Sequence, residues 1–228
     1  MKLTTVHDLC QSIMTHEPTM SLPQRLIEGY ETFRSGRLKA EQSRYEELAE
    51  HGQSPEIMVI GCCDSRVSPE VIFDAGPGEL FVVRNVGNLV PPYAPDGAYH
   101  GVSAALEFAV GALRVKHIVV LGHAHCGGVR AFATDAAPLS PGDFIGKWMS
   151  LIAPAAEKLG PRGDAPTADY LARLEQASVA NTLDNLMTFP RLRTLIERGK
   201  VMVHGAYFGV ATGELSVLDR QSGRFVPA

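Results

Sequence analysis

Four short apolar runs limit what this 228-residue chain can fold into: IMVIGC at 57–62, LFVVR at 80–84, HIVVL at 117–121 and VMVH at 201–204. They are rich in Val and Ile, they do not alternate with polar residues, and helix-length segments separate them. A strand that is apolar on both sides must be covered on both faces, which is the condition of a parallel sheet between helices. The runs therefore predict an α/β fold, with a mainly parallel central β-sheet flanked by helices. Leu22, Leu26, Tyr30 and Phe33 recur at helical spacing after Ser21, a capping residue with Gln24 three positions on. This predicts an N-terminal helical arm, broken at Gly36 and resumed over 41–50. Further helices are predicted over 102–113, 177–187 and 191–198, with Pro190 opening and Gly199 closing the last. The stretch 133–167, rich in Pro, Gly, Ala and Asp, reads as a surface excursion. No internal repeat or domain boundary is visible, so residues 1–228 form one domain: an arm over 1–50 and an α/β core over 51–228.

A net charge of -4 with no run of basic residues argues against a nucleic-acid partner. No segment reaches the length of a membrane span. The N-terminus MKLTTVHDLCQSIM lacks the layout of a secretory signal, so a cytoplasmic location is expected. In that reducing setting Cys10, Cys62, Cys63 and Cys126 are better read as metal ligands or catalytic thiols than as disulfides. Cys10 stands alone and is assigned no role.

The remaining cysteines lie in two segments at the ends of the first and third predicted strands, GCCDSR (61–66) and GHAHCGG (122–128). In open parallel sheets ligands bind just beyond those carboxyl ends. His123 and Cys126, three apart on a turn, can address one ion. A thiolate from the other segment completes a Cys₂His set, with either Cys62 or Cys63 able to supply it. Three protein ligands leave one position for water, the pattern of catalytic zinc rather than of closed structural sites. Adjacent cysteines lack the Cys-x-x-Cys spacing of redox sites, which disfavours a dithiol reading.

The two segments together resemble the signature pair of the β-carbonic anhydrases. The similarity extends to GQSP (52–55), MVIG (58–61), PGELFVVRNVGNLVPPY (77–93) and IVVLGH (118–123), and its plant-type branch is the most similar. The resemblance implies one Zn²⁺ per chain on Cys62, His123 and Cys126, with Cys63 and His125 as bystanders. Alternation along an extended segment would turn Cys63 away from Cys62 and Asp64, into neighbouring packing. Asp64 and Arg66 resemble the family's catalytic dyad, a guanidinium holding a carboxylate that orients the zinc-bound hydroxide for attack on CO₂. Gln53, Phe81, Val86, Phe108 and Gly127 match substrate-pocket positions, Phe108 standing where plant-type relatives have Tyr. Regulated members carry Trp where this chain has Val59, so an open site with water as fourth ligand is expected.

The implied activity is reversible hydration of carbon dioxide to bicarbonate and a proton. Two thiolates cancel the charge of the ion, so the pKa of the bound water should lie above the roughly 7 of a three-histidine site. The same chemistry could serve a carbonyl sulfide or carbon disulfide hydrolase, and a bicarbonate sensor would need the metal without turnover. Family members assemble as dimers or tetramers with the pocket at the subunit interface. The helix from Leu22 to Phe33 suits such an embrace, or packing on its own sheet.

Overall fold

The computed structural model describes residues 22–228, which fall into two compact units meeting at Gly52 and Gln53. The first holds three helices, α1 (Gln24–Ser35), α2 (Arg37–Ala40) and α3 (Gln42–His51), with Gly36 between the first two. Phe33 and Tyr45 meet edge to face at 6.0 Å. The stripe Leu22, Leu26 and Tyr30 is exposed, each by more than half. Ser21, the expected cap, and Cys10 lie outside the described residues.

The second unit is built on a six-stranded sheet in the order β2-β1-β3-β4-β5-β6, formed by β1 (Ile57–Cys62), β2 (Leu80–Asn85), β3 (His117–His123), β4 (Met202–Phe208), β5 (Leu215–Asp219) and β6 (Arg224–Pro227). The first four strands are parallel and the last two antiparallel. All four apolar runs became strands, β1 with the bounds read from sequence. The antiparallel pair was missed because its strands are short and only half-buried. Gly61 pairs with Leu121, Cys62 with Asn85 and His123 with Phe208, so the carboxyl ends of the parallel strands lie along one edge. From β1 the chain crosses through the short helix α4 (Pro69–Ile72) to β2 on one side, then returns to β3 on the other. The crevice between the ends of β1 and β3 is thus the topological switch point, where open α/β sheets bind ligands.

One sheet face buries Met58, Ile60, Ile118, Val120 and Val203 against α5 (Gly101–Phe108), α9 (Thr167–Leu186) and α10 (Pro190–Glu197). A π-helical stretch, Ala109–Leu113, extends α5. On the opposite face Val59, Leu121 and Ala206 are buried, but Ile57, Leu80, Val82, Val119 and Leu215 are only partly covered. The expectation of two fully covered faces therefore holds for one face of this chain.

A separate cluster sits at the carboxyl edge, where Cys62, Val67, Leu89, Cys126, Val129, Met149, Ile152, Ala155 and Leu174 are buried together. Three of these come from the predicted surface excursion, which folds as α7 (Phe144–Met149), a single 3₁₀ turn and α8 (Ala153–Leu159). That reading is corrected: Met149 and Ile152 are fully buried, and the indole of Trp148 donates to the Val86 carbonyl at 2.7 Å. Elements of six or seven residues hold under two helical turns, too few for periodicity to register.

Candidate metal centre

β1 ends by delivering Cys62, and β3 by delivering His123. Cys126 follows on a tight turn and precedes α6 (Gly127–Ala133). Two glycines let these loops close. A Cβ at Gly122 would stand 2.5 Å from Val179 on α9, and one at Gly128 would stand 2.8 Å from Val86 and 2.9 Å from the Met149 sulfur. The turn itself is unusual, because His125 adopts φ +60, a left-handed conformation that side-chain-bearing residues seldom take.

Cys62 Sγ, one imidazole nitrogen of His123 and Cys126 Sγ lie within 4.8 Å of one another, all buried. His123 Nδ1 is 2.9 Å from the Ala124 carbonyl, which can only accept, so Nδ1 carries the proton. Its Nε2 therefore presents a lone pair, and this buried atom has no hydrogen-bond partner in the protein. A buried acceptor beside two thiols is the arrangement a cation resolves. Two sulfurs and an imidazole suit zinc in donor type, and ligand distances of about 2.0–2.3 Å would draw the three together.

The sulfurs are prepared for this. Cys62 Sγ accepts the Gly87 amide at 3.3 Å. Hydrogen bonding from Cys126, then from backbone amides, outweighs burial and holds the Cys62 thiol far below the usual range. Cys126 is pushed up by the same shared proton and by burial, offset in part by the amides of Gly128 and Val129. A divalent ion among them would remove that proton and leave two thiolates.

Asp64 and Arg66 form a fork. Nε of Arg66 donates to Oδ1 at 2.8 Å and Nη2 to Oδ2 at 2.7 Å, while the Arg66 amide also donates to Oδ1 at 3.0 Å. Arg66, through its guanidinium and then its amide, holds the Asp64 carboxyl well below the usual carboxylate range. Arg66 Nη2 also donates to the His125 carbonyl at 3.1 Å and so joins the two loops. Cys63 is exposed rather than turned into packing, because the strand ends at Cys62 and alternation no longer governs the next residue. His125 is exposed as well.

Among the residues matched to a pocket, Val86 packs against the cluster that buries Cys62. Gly127 follows Cys126 directly, and a Cβ there would meet nothing within 4 Å, leaving open space before its backbone. The other three are placed elsewhere in the chain. Phe81 pairs with Met58, four residues before Cys62, so about 13 Å of strand separates it from that level of the sheet. Phe81 and Phe108 lie 5.9 Å apart beside the first-face core. Gln53 is exposed in the segment leading to the amino end of β1.

Sequence reasoning missed the groups that hold the loops. Arg84 donates through Nε to the Cys62 carbonyl at 2.8 Å and through Nη2 to the Asp64 carbonyl at 2.7 Å. Glu175 accepts from the Cys126 amide, and Tyr207 donates to Glu175. Arg84 lies within the family-like RNVGN stretch, a signal that was available, whereas nothing in the sequence links Glu175 or Tyr207 to position 126.

A family model described as carbonic anhydrase matches residues 57–215. A carbonic anhydrase of Pseudomonas aeruginosa is 36% identical over 201 residues, covering 88% of this chain and 90% of the relative. One from Synechococcus elongatus is 33% identical over 87% of this chain and 72% of its own length. Among solved structures, the β-carbonic anhydrase CcaA superposes with a TM-score of 0.84 at 32% identity, covering 90% of this chain and 91% of that one. A tetrameric β-carbonic anhydrase of Sordaria macrospora gives a TM-score of 0.74 at 28% identity, covering 89% of this chain and 97% of that one.

Proposed function

This chain belongs to the β-carbonic anhydrase family, and from that premise we propose that it catalyses the reversible hydration of carbon dioxide with one Zn²⁺ bound by Cys62, His123 and Cys126. The observation that carries the reading is the convergence of two buried sulfurs and an unpartnered imidazole nitrogen at the switch point of the sheet, beside the Asp64–Arg66 fork. When bound, the ion would lower the pKa of a water molecule and so supply a nucleophile near neutral pH.

The residues of the chain do the rest. Arg66 spends its fork on both oxygens of Asp64, which keeps the carboxylate ionised and fixed as a hydrogen-bond acceptor at the rim. Asp64 would orient the attacking water by accepting its proton-bearing edge. Engagement of Asp64 by Arg66, and Val59 in place of a Trp, support a site in which the carboxylate stays off the metal. We place carbon dioxide beside Val86, in the open space before the Gly127 backbone.

Gln53, Phe81 and Phe108 lie away from the triad of their own chain. We assign them to the pocket of a neighbouring copy in a homodimer or homotetramer. The exposed stripe of Leu22, Leu26 and Tyr30 and the half-covered sheet face support an assembly of this kind. No helix among the described residues is long and apolar enough to cross a membrane. We assign the chain to a reducing, cytoplasmic setting, in which Cys62, Cys63 and Cys126 stay the free thiols they are here.

Stopped-flow hydration on purified protein, with zinc measured by mass spectrometry, tests the reading. The expected result is one zinc per chain and a rate that climbs through pH 7 and beyond, since a neutral donor set acidifies water less than three imidazoles do. A rate already maximal and flat at pH 6 would contradict this donor set. Zinc without turnover would make the chain a sensor, and preference for carbonyl sulfide would make it a sulfide hydrolase.

A further inference from the structure

We propose that Glu175 and Tyr207 form a buried clamp that positions the Cys126 sulfur, and thereby sets how tightly the chain holds its metal. The proposal rests on the metal assignment above and deepens it.

Glu175 lies midway along α9, flanked by buried Leu174, Ser178 and Val179, and is itself only 5% exposed. Oε1 accepts the Cys126 amide at 2.9 Å, and Oε2 accepts the Tyr207 hydroxyl at 2.6 Å. Neither donor is a cation. Burying a carboxylate without a basic partner is costly, and both of its oxygens are taken up by these two neutral donors, so ordinary core packing does not account for this residue. Burial first, then the neighbouring Glu175, push the Tyr207 hydroxyl well above the usual phenol range and keep it a donor.

The clamp acts at the one ligand that the strands do not hold. Cys62 and His123 end β1 and β3 and are placed by the sheet register, but Cys126 follows a turn that carries His125 at φ +60. Three successive contacts keep that turn closed. The Ala124 amide donates to the Phe208 carbonyl at 2.9 Å, the His125 carbonyl accepts Arg66, and the Cys126 amide donates to Glu175. Of these three only the last reaches the ligand residue itself, three bonds from its sulfur; the Cys126 carbonyl is held from the other side, accepting the Arg130 amide of α6 at 3.1 Å. Tyr207 stands on β4 directly across from Gly122, next to His123, so the clamp ties the position of Cys126 to the sheet that places His123. Losing the acceptor leaves a buried amide unsatisfied and lets the strained turn relax, which moves the sulfur out of the triad.

The test compares wild type with Glu175→Ala, Glu175→Gln and Tyr207→Phe in three measurements: zinc competition against a chromophoric chelator, the thiolate-to-cobalt absorption of the Co²⁺-substituted protein, and thermal melting. Glu175→Ala should weaken zinc binding by about 10–100-fold and alter the cobalt band, as loss of partners that orient metal ligands does. Glu175→Gln keeps an acceptor for the Cys126 amide and should stay close to wild type, with Tyr207→Phe between the two. A folded Glu175→Ala protein with wild-type affinity and cobalt spectrum overturns the clamp, as does a folded Glu175→Gln protein that loses as much as alanine. If the alanine variant does not fold, Tyr207→Phe decides: wild-type affinity and spectrum in it overturn the proposal. Wild type with no cobalt band would sink the metal assignment and the clamp with it, while the rate of hydration does not enter the test.

Discussion

The two segments that supply the proposed metal ligands are built differently. GCCDSR leaves β1 and runs at once to the surface. Cys62 is buried, but Cys63 is exposed, Arg66 is nearly half exposed, and an ion-pair fork with Asp64 links the charged groups. GHAHCGG bends back under α9, and apart from the outward His125 and Gly127 it is bedded on Val179, Met149 and the carboxylate of Glu175. The first loop offers charge to solvent, while the second is held by packing and buried hydrogen bonds. On the proposed function this difference is a division of labour, with metal retention lying in the buried side and reactivity in the exposed side.

Removing a ligand should produce the largest change whichever loop it comes from. Cys62→Ser is expected to purify with little zinc and to lose nearly all hydration activity, whereas Cys63→Ser should match wild type in both. Equal zinc loss in the two variants, measured by mass spectrometry, would undo the assignment of Cys62. Next comes the exposed side alone. Asp64→Ala should retain zinc at one per chain yet lose hydration on the order of 10²-fold, the scale of a missing proton-handling group. Full activity in this variant would remove Asp64 from the chemistry and break the division between the loops.

The buried side is sharpened by Gly122→Ala. Its new methyl would overlap Val179, and overpacking of this kind costs about 1–3 kcal/mol, read as a lower melting temperature. Val179→Ala in the same chain should recover part of that loss, and no recovery would mean that the crowding lies elsewhere. The smallest effect concerns acid. Because the folded pKa of Asp64 is depressed, the pair with Arg66 contributes stability above the ordinary carboxylate value of about 3.9, and that contribution disappears as pH falls toward the depressed value. The pair is partly solvated, so the contribution is modest. Melting temperatures at pH 7 and pH 3 should therefore differ slightly less in Asp64→Asn than in wild type, and an unchanged difference would remove the fork from the acid response.

Much of this arrangement was legible before any coordinates. The four apolar runs became the four parallel strands, and the chemistry-bearing residues at two of their ends became one cluster, since parallel strands in register must bring their carboxyl ends to one edge. Chemical spacing left Cys62 and Cys63 as alternatives, and family resemblance chose between them in agreement with the buried position of Cys62. The stretch 133–167 was misread because its helices are shorter than two turns. The fate of Cys63 was misread because strand alternation stops where the strand stops.

By itself, the order of residues determined the fold class and the donor set at the strand ends, because hydrophobic periodicity and ligand type are local properties of a chain, whereas the strand order that makes that edge a switch point is tertiary. Only the tertiary structure decided which groups hold that donor set in place. Arg84 lies 22 residues from Cys62, and Glu175 lies 49 from Cys126. Such long-range hydrogen bonds leave no periodic trace, since they depend on how a helix and a neighbouring strand settle against the sheet. The same physics separates Phe81 and Phe108 from their own triad: family resemblance matches them to pocket positions, but sheet geometry decides which side of the molecule they reach.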